Sequence, residues 1–280
     1  MKIGLVLEGG AMRGMYTAGV LDTFLDNNIK VDGIIGVSAG ALFGINYCSK
    51  QKGRVLRYNK KYIKDKNYMG LYPLIKTGNV VNKQLAFYDI PLKYDKLDID
   101  EFNKSNVDFF VTVTNVETGK AEYIKINDIV LQTELFRATG AMPFVSEIVE
   151  YDGNKYLDGA LADSIPLDKC IEMGYDKIIV VLTKTLNYRK KKRSPIFAKV
   201  KYSEYPNLVD AINTRYIRYN ETMDKLEKLE EEGKIFVFRP SRKVKMNRIE
   251  KDEDKIQEMY DLGIKDGNDK LNSLIEFLKK

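Results

Sequence analysis

The fold is decided by residues 3–48, which read IGLVLEGGAMRGMYTAGVLDTFLDNNIKVDGIIGVSAGALFGINYC. Residues 3–7 are a continuous apolar run, which is typical of a strand buried on both faces. Helical spacing follows from 15 to 27, a second apolar strand covers 33–36, and another helical pattern runs to Cys48. This compact β-α-β-α order predicts a parallel sheet with helices on its faces.

Each of the two strands ends in a glycine-rich turn. The first turn is Glu8-Gly9-Gly10-Ala11-Met12-Arg13-Gly14, and the second is Gly36-Val37-Ser38-Ala39-Gly40, which has the form G-x-S-x-G. A strand-turn-helix context of this kind exposes a nucleophilic serine. The chain contains no histidine, so a Ser-His-Asp triad is excluded and the base for Ser38 must be a carboxylate or a lysine.

Further strands and helices are predicted along the rest of the chain. We expect strands at 107–115, 121–126, 177–183 and 235–238, and helices at 129–138, 166–173 and 207–232. Residues 52–104 indicate helices and loops. A C-terminal helical stripe runs from Ile256 to Leu278, and Gly263 and Gly267 within it predict a break.

The clearest composition shift lies at 184–201, which contains no acidic residue. There is no internal repeat and no low-complexity linker, so a single domain is expected. We place a core at 1–185, and a flap, a basic loop and C-terminal helices at 186–280, packed on the same domain.

Composition bounds the class of protein. The chain has 280 residues, of which 44% are hydrophobic, enough for a globular protein with a sizeable core. Cys48 and Cys170 are too few for a disulfide framework or a zinc site, and both indicate buried free thiols. No apolar stretch approaches the roughly 18 residues of a membrane span, and Glu8 ends the first apolar run too early for a signal peptide. We therefore expect a cytoplasmic protein, with peripheral membrane contact as an open alternative.

A third motif, Asp158-Gly159-Ala160, follows the predicted turn at 151–155. The glycine loop, the serine elbow and this motif, in this order and without histidine, resemble the patatin-like phospholipase family and its bacterial members. That family's pattern is G-G-G-x-R/K-G, then G-x-S-x-G, then D-G-G/A. The resemblance spans 3–182, about two thirds of the chain. It implies an α/β fold with a mainly parallel central sheet sandwiched by helices, distinct from the α/β-hydrolase fold, whose triad needs a histidine.

The resemblance also implies a Ser-Asp dyad. Ser38 would attack an ester carbonyl to form an acyl-enzyme, and Asp158 would be its general base. The glycine loop would supply the oxyanion hole, chiefly through the backbone N–H groups of Gly10 and Ala11. Its residues would be Gly9, Gly10, Ala11 and Met12, supported by Arg13 and Gly14, with Gly36 and Gly40 flanking the elbow. Ala11 departs from the family's third glycine, and Arg13 would either hold the loop by hydrogen bonds or meet a lipid phosphate.

The predicted function is therefore a serine acyl-ester hydrolase of the phospholipase or lysophospholipase type. This chemistry needs no metal and no organic cofactor. Two alternatives stay open: a lipid- or acyl-binding regulator with little turnover, and an acyltransferase on the same scaffold. The glycine loop lacks both the G-x-G-x-x-G spacing of dinucleotide sites and the G-K-[ST] of a phosphate-binding loop.

The net charge of +6 is compatible with anionic partners. Its densest part is a basic run made of Arg189, Lys190, Lys191, Lys192 and Arg193. The run is either a solvated loop or a site of attraction to an anionic membrane, where each basic residue contributes about 1 kcal/mol. In the second case, residues 186–208 would form a mobile flap beside the acyl site. One basic run without a recognised fold does not indicate nucleic-acid binding.

Overall fold

A single mixed sheet organises the molecule. The computed structural model describes residues 1–192 and 194–280, and among these residues the sheet has eight strands in the order β5-β6-β3-β2-β1-β7-β8, with β4 paired to β3. The strands are β1 (Ile3–Leu7), β2 (Gly33–Val37), β3 (Asp108–Asn115), β4 (Ala121–Lys125), β5 (Val149–Tyr151), β6 (Asn154–Asp158), β7 (Lys177–Val181) and β8 (Ile235–Phe238). The run β3-β2-β1-β7-β8 is parallel throughout, and β4, β5 and β6 are antiparallel.

Helices cover both faces of this sheet. They are α1 (Met15–Asp26), α2 (Ala39–Cys48), α3 (Arg54–Tyr62), α4 (Leu71–Thr77), α5 (Ile99–Lys104), α6 (Thr133–Thr139), α7 (Leu167–Glu172), α8 (Ile196–Lys201), α9 (Pro206–Glu231), α10 (Glu253–Asp269) and α11 (Leu271–Lys279). A π-helical segment spans Gln84–Tyr94, and 3-10 turns span Ala11–Gly14 and Gly159–Leu161. None of the helices in the described ranges combines the length and the apolar character needed to cross a bilayer.

The alternation of side chains along β1 shows how the two layers form. Leu5 and Leu7 join the core that contains α1, α2 and α10, whereas Val6 joins the core formed with α7 and α9. Successive residues of a strand point to opposite faces, so a strand with no polar member must be covered on both. The predicted fold class, a mainly parallel sheet between helices, is confirmed.

The register brings the strand ends together at one edge. Leu7 of β1 lies opposite Gly36 of β2 and Val181 of β7. The loops that leave these strands therefore begin side by side at the carboxyl edge of the sheet, with β1 between its two parallel neighbours. In open parallel sheets this is where ligands bind.

The predicted break at Gly263 and Gly267 is wrong, because α10 continues through both residues to Asp269. These glycines serve close helix packing instead. A Cβ on Gly263 would lie 2.2 Å from the carbonyl oxygen of Tyr16 on α1, and a Cβ on Gly19 would lie 2.2 Å from that of Tyr260. The small residues let α1 and α10 approach backbone to backbone.

We predict that Gly263→Ala lowers the free energy of unfolding by about 2 kcal/mol, because the added methyl forces the two helices apart. This loss exceeds the gain of about 1 kcal/mol from replacing a helical glycine. Urea unfolding measures the effect. Asn268→Ala, on the exposed face of α10, is the matched control and should change stability by less than about 0.5 kcal/mol. An unchanged urea midpoint for Gly263→Ala would contradict the packing argument.

Candidate active site

Ser38 occupies a strained turn between β2 and α2. Its backbone has φ 53° and ψ −125°, a conformation that non-glycine residues rarely adopt. The two elbow glycines make the turn sterically possible. A Cβ on Gly36 would lie 2.5 Å from the Cα of Ala41, and a Cβ on Gly40 would lie 2.4 Å from the carbonyl oxygen of Leu7. The turn thus projects the Ser38 side chain at the carboxyl edge of the sheet.

Thr139, which no sequence motif singles out, supports the elbow through its side chain. The amide of Ser38 donates a 2.8 Å hydrogen bond to Oγ1 of Thr139, which in turn donates to the carbonyl oxygen of Thr112 at 2.6 Å. Thr139 and Thr112 are completely buried. The elbow is therefore fixed to both β3 and the end of α6.

Asp158 contacts Ser38 although the two residues lie 120 positions apart in the sequence. The hydroxyl of Ser38 donates to Oδ2 of Asp158 at 3.0 Å, while the amide of Ala160 donates to Oδ1 at 2.9 Å. Antiparallel β6 places Asp158 opposite Val113 on β3, one residue beyond the point where β3 pairs with the last residue of β2. Ser38 and Asp158 are only 7% and 6% exposed, so the pair is largely shielded from water.

Burial changes the proton affinity of this carboxyl group. Desolvation raises the pKa of Asp158, and the positive charge of Arg215, the Ala160 amide and the Ser38 hydroxyl act in the opposite direction. The net shift is upward. A carboxylate with a raised pKa is a better acceptor for a hydroxyl proton than a solvated aspartate.

The glycine loop lies directly against the elbow. A Cβ on Gly9 would lie 3.0 Å from the Cβ of Ser38, and a Cβ on Gly10 would lie 2.6 Å from Oγ1 of Thr183. Ala11 takes a positive φ of 50°, so the residue at the family's third glycine position keeps a glycine-like conformation. The loop is therefore close enough to Ser38 to face an atom bonded to it.

Two amides of the loop are available as donors. Within the described part of the chain, the backbone N–H groups of Gly10 and Ala11 have no hydrogen-bond partner, whereas that of Met12 donates to the carbonyl oxygen of Arg248 at 3.3 Å. Paired amides directed at one position are what an oxyanion hole requires. Of the predicted donors, Met12 is already engaged.

Glu8 ties the start of the loop to two distant elements. One carboxylate oxygen accepts from the amide of Thr183 at 2.6 Å and from its hydroxyl at 3.0 Å, and the other accepts from Tyr219 on α9 at 2.9 Å. Glu8 is buried, and its hydrogen bonds satisfy both oxygens. No motif in the sequence assigns a role to Glu8, Thr183 or Tyr219.

The expected support of the loop by Arg13 side-chain hydrogen bonds is not what the geometry shows. Among the residues described, its guanidinium makes no such bond, and its buried Nε has no partner. The backbone amide of Arg13 instead donates to the carbonyl oxygen of Gly10 at 3.2 Å. Gly14 allows close packing, since a Cβ there would lie 2.9 Å from the Phe43 ring.

An apolar cavity of about 160 Å³ opens beside Ser38. Its walls come from α2, the π-helical segment, α6 and the loop that follows α6. Representative wall residues are Leu42, Phe43, Phe87, Ile90, Phe136 and Met142. Cavities lined in this way bind apolar groups, with a few polar atoms fixing orientation.

The basic run does not form one uniform patch. Arg189 pairs with Asp224 and Glu227 on α9, and the Lys190 ammonium lies 3.0 Å from the ring centroid of Tyr219. Lys191 and Lys192 are exposed. Arg193 lies outside the described residues.

Residues of α9 complete the surroundings of the Ser38–Asp158 pair. Arg218 donates to the carbonyl oxygens of Ala162 and Leu161, in and just after the turn that follows Asp158. Arg215 acts on Asp158 through its charge. The spacing of Arg215, Arg218 and Tyr219 places all three on one side of a helix. This spacing is the only sign of a shared target that the sequence offers, and it does not say what the target is.

Family models match two parts of the chain, and several known proteins are similar to the first part. A family model described as patatin-like phospholipase matches residues 5–171, and one described as a domain of unknown function (DUF6363) matches 205–279. YjjU of Escherichia coli, an uncharacterised protein, is 27% identical over 191 residues, which are 65% of this chain and 52% of YjjU. Lysophospholipase NTE1 of Cryptococcus neoformans is 26% identical over 64% of this chain and 11% of its own length.

Two further matches are a fly esterase and a solved bacterial structure. The neuropathy target esterase sws of Drosophila melanogaster is 25% identical over 64% of this chain and 13% of its own length. VipD from Legionella pneumophila, a solved structure, aligns with a TM-score of 0.42 and 13% identity over 96% of this chain and 67% of that one. The chain thus matches about half of YjjU and a small part of the other two sequence relatives.

Proposed function

This chain belongs to the patatin-like phospholipase family, and we propose that it is a serine acyl-ester hydrolase acting on phospholipids or lysophospholipids through a Ser38–Asp158 dyad. The observation that carries the proposal is the 3.0 Å hydrogen bond from the Ser38 hydroxyl to the buried Asp158 carboxylate. This bond lies where three features meet: the strained backbone of Ser38, the Asp158 carboxyl group with its raised pKa, and the apolar cavity. Membership of a family described as phospholipases also supports this assignment.

In the first half of the reaction, Asp158 accepts the hydroxyl proton of Ser38 as Oγ bonds to the ester carbonyl carbon. The carbonyl oxygen becomes an oxyanion held by the amides of Gly10 and Ala11. The ester C–O bond then breaks, and the departing alkoxide takes the proton from Asp158. The acyl chain, now on Ser38, lies in the apolar cavity.

In the second half, Asp158 accepts a proton from water as the water oxygen attacks the acyl carbon. The second oxyanion collapses, the bond to Ser38 Oγ breaks, and Ser38 regains the proton from Asp158. The products are a fatty acid and an alcohol. Every step is a proton or acyl transfer, so no step requires a metal or an organic cofactor.

The proposal is tested with a 1-acyl lysophospholipid and mass spectrometry of the products. The protein should release free fatty acid, and Ser38→Ala should release none above the buffer rate while retaining its circular dichroism spectrum. Equal release by both proteins would contradict the proposal. An acylated product that forms only when glycerol is added would reassign the reaction to an acyltransferase.

The pH profile follows from the raised pKa of Asp158. Because Asp158 must be a carboxylate to accept a proton, kcat/KM falls as pH drops through that pKa, and the acid limb should lie above the reference value of about 3.9 for aspartate. Removing the positive charge in Arg215→Met raises the pKa of Asp158 further, so the acid limb should move to higher pH. Lys234→Met, in the turn before β8, is the charge-matched control and should not move it.

A soluble ester assayed between about pH 4 and about pH 9 is sufficient to measure this limb. An acid limb that keeps its position in Arg215→Met would show that Asp158 is not the group being titrated.

Contact with an anionic membrane surface belongs to the same proposal and depends on Lys191 and Lys192. Arg189 is engaged by carboxylates and Lys190 is packed on Tyr219, whereas Lys191 and Lys192 are exposed. On nearby α8, Phe197 is 74% exposed and offers an apolar anchor. Replacing both lysines with glutamine should weaken sedimentation with anionic vesicles, because each contributes about 1 kcal/mol. Unchanged sedimentation would exclude this surface.

A further inference from the structure

We propose that Lys190 and Arg215, with Lys184 and Arg13 beside them, bind the phosphate of an anionic lysophospholipid headgroup. This inference rests on the proposed function and names the substrate class more narrowly: 1-acyl lipids whose headgroup is a phosphate monoester. The apolar cavity borders the sheet face covered by α2, whereas Tyr219, beneath Lys190, belongs to the face covered by α9. Ser38 lines the apolar cavity, and its partner Asp158 is linked through Ala160 and Ser164 to the basic groups.

The basic side is built around Ser164. Lys190 Nζ lies 3.4 Å from Ser164 Oγ, and Nε and Nη2 of Arg215 each lie 3.3 Å from the same oxygen. The Ser164 hydroxyl donates to the carbonyl oxygen of Ala160 at 2.8 Å, and the Ala160 amide holds Asp158. Two cations thus converge on one neutral oxygen, a short chain of contacts from the dyad.

The charges around this point do not balance. Arg13, Lys184, Lys190 and Arg215 form no direct ion pair within residues 1–192 and 194–280. The carboxylates that act on them are Glu8, on both lysines and Arg215, and Asp158, on Arg215. Arg248 adds a fifth positive charge, since it acts on Lys184, Lys190 and Arg215. The positive charges at this point therefore outnumber the two carboxylates.

The carboxylates are also committed elsewhere. The oxygens of Glu8 accept from Thr183 and Tyr219, and those of Asp158 accept from Ser38 and Ala160. Neither forms a contact pair with the cations. The basic groups therefore repel one another, and burial together with Arg215 lowers the pKa of Lys190 well below its ordinary value. A bound anion relieves that repulsion.

A phosphate monoester fits this arrangement better than other anions. Its charge of about −1.5 to −2 at neutral pH offsets more of the positive excess than a singly charged anion does. Its several oxygens can receive the Arg215 fork and the Lys190 ammonium together, which is the geometry in which arginine recognises phosphate. The buried Nε of Arg13 has no partner among the described residues and supplies a further donor. A choline headgroup carries a positive charge that the basic groups would repel, so we expect it to bind less well.

The test compares three substrates that carry the same acyl chain: 1-acyl-glycerol phosphate, lysophosphatidylcholine and monoacylglycerol. Wild-type kcat/KM should be highest for the phosphate monoester. Lys190→Met should lower it about 10- to 100-fold for that substrate, the loss expected for a charge-assisted hydrogen bond, and less than about twofold for monoacylglycerol. Lys190→Arg should restore most of the preference. Lys234→Met should leave all three values unchanged.

Equal losses on all three substrates in Lys190→Met, or no wild-type preference for the phosphate monoester, would overturn the headgroup site. Inhibition by inorganic phosphate without that substrate preference would also overturn it, since the site would then take free phosphate only.

Failure of the proposed function is distinguished by a binding measurement. If no ester is hydrolysed by any variant, the dyad assignment fails. Calorimetry of 1-acyl-glycerol phosphate on Ser38→Ala still tests the basic site, and adding Lys190→Met should weaken binding by about 10-fold or more. Identical affinity with and without Lys190 would overturn the site independently of catalysis.

Discussion

Asp158→Asn is expected to lower kcat/KM for ester hydrolysis by on the order of 10³-fold or more, with the fold intact. The amide has the same shape as the carboxylate and can still accept a hydrogen bond from Ser38. It cannot accept the proton, so Ser38 Oγ must attack as a neutral hydroxyl. Substrate binding in the apolar cavity is unaffected, so the loss should fall on kcat rather than on KM.

The matched control is Asp163→Asn. Asp163 lies in the same turn and is also a desolvated carboxylate, but it accepts from the Tyr123 hydroxyl at 2.7 Å and the Ile165 amide at 3.1 Å, away from Ser38. Its substitution removes the same charge without touching the dyad. Similar losses of activity in the two variants would show that the loss comes from disturbing the turn and not from removing the general base.

Gly10→Ala is expected to lower kcat by about 10²-fold through the oxyanion hole. The new Cβ would lie 2.6 Å from Oγ1 of Thr183, and Thr183 cannot withdraw because Glu8 holds both its amide and its hydroxyl. The loop must shift instead, which displaces the Gly10 and Ala11 amides from the carbonyl oxygen. Since the oxyanion exists only during the reaction, KM should change little.

Steady-state kinetics on a soluble ester measure this effect. Gly233→Ala, in the turn before β8, is the control for lost stability. An alanine at this position would be strained because Gly233 has a φ of +68°, but its Cβ would meet no neighbouring atom. This variant should be destabilised by about 1 kcal/mol and keep its kcat. A Gly10→Ala variant with unchanged kcat would show that the loop amides do not hold the oxyanion.

The parallel half of the sheet was predictable because its signals are local. An apolar run of five residues, a glycine turn and a helical stripe are each legible within a short window, and β1 and β2 follow directly from them. The serine elbow was legible for the same reason. Its strand-turn-helix context fixes where Ser38 must lie relative to the sheet.

The partner of Ser38 required more than local signals. Asp158 reaches Ser38 because antiparallel β6 pairs with the far end of β3, and no window of sequence encodes that pairing. An Asp-Gly pair by itself predicts only a turn. The family resemblance, and not the physical pattern, pointed to this residue.

The contribution of α9 was missed for a physical reason. The basic run is one block in the sequence, but Arg189 and Lys190 contact different groups: the carboxylates of α9 and the ring of Tyr219. Which side chain turns inward depends on tertiary packing. Gly263 also depends on tertiary packing, since a glycine that weakens an isolated helix permits a close approach between two packed helices.

The most direct test of the dyad is labelling with a fluorophosphonate, which reacts with activated serines, followed by peptide mass spectrometry. We predict one adduct, on Ser38, that forms at a greatly reduced rate in Asp158→Asn and at the normal rate in Asp163→Asn. A correctly folded protein with no adduct on Ser38, or with the same labelling rate in Asp158→Asn, would contradict the assignment of Ser38 as nucleophile and Asp158 as its base.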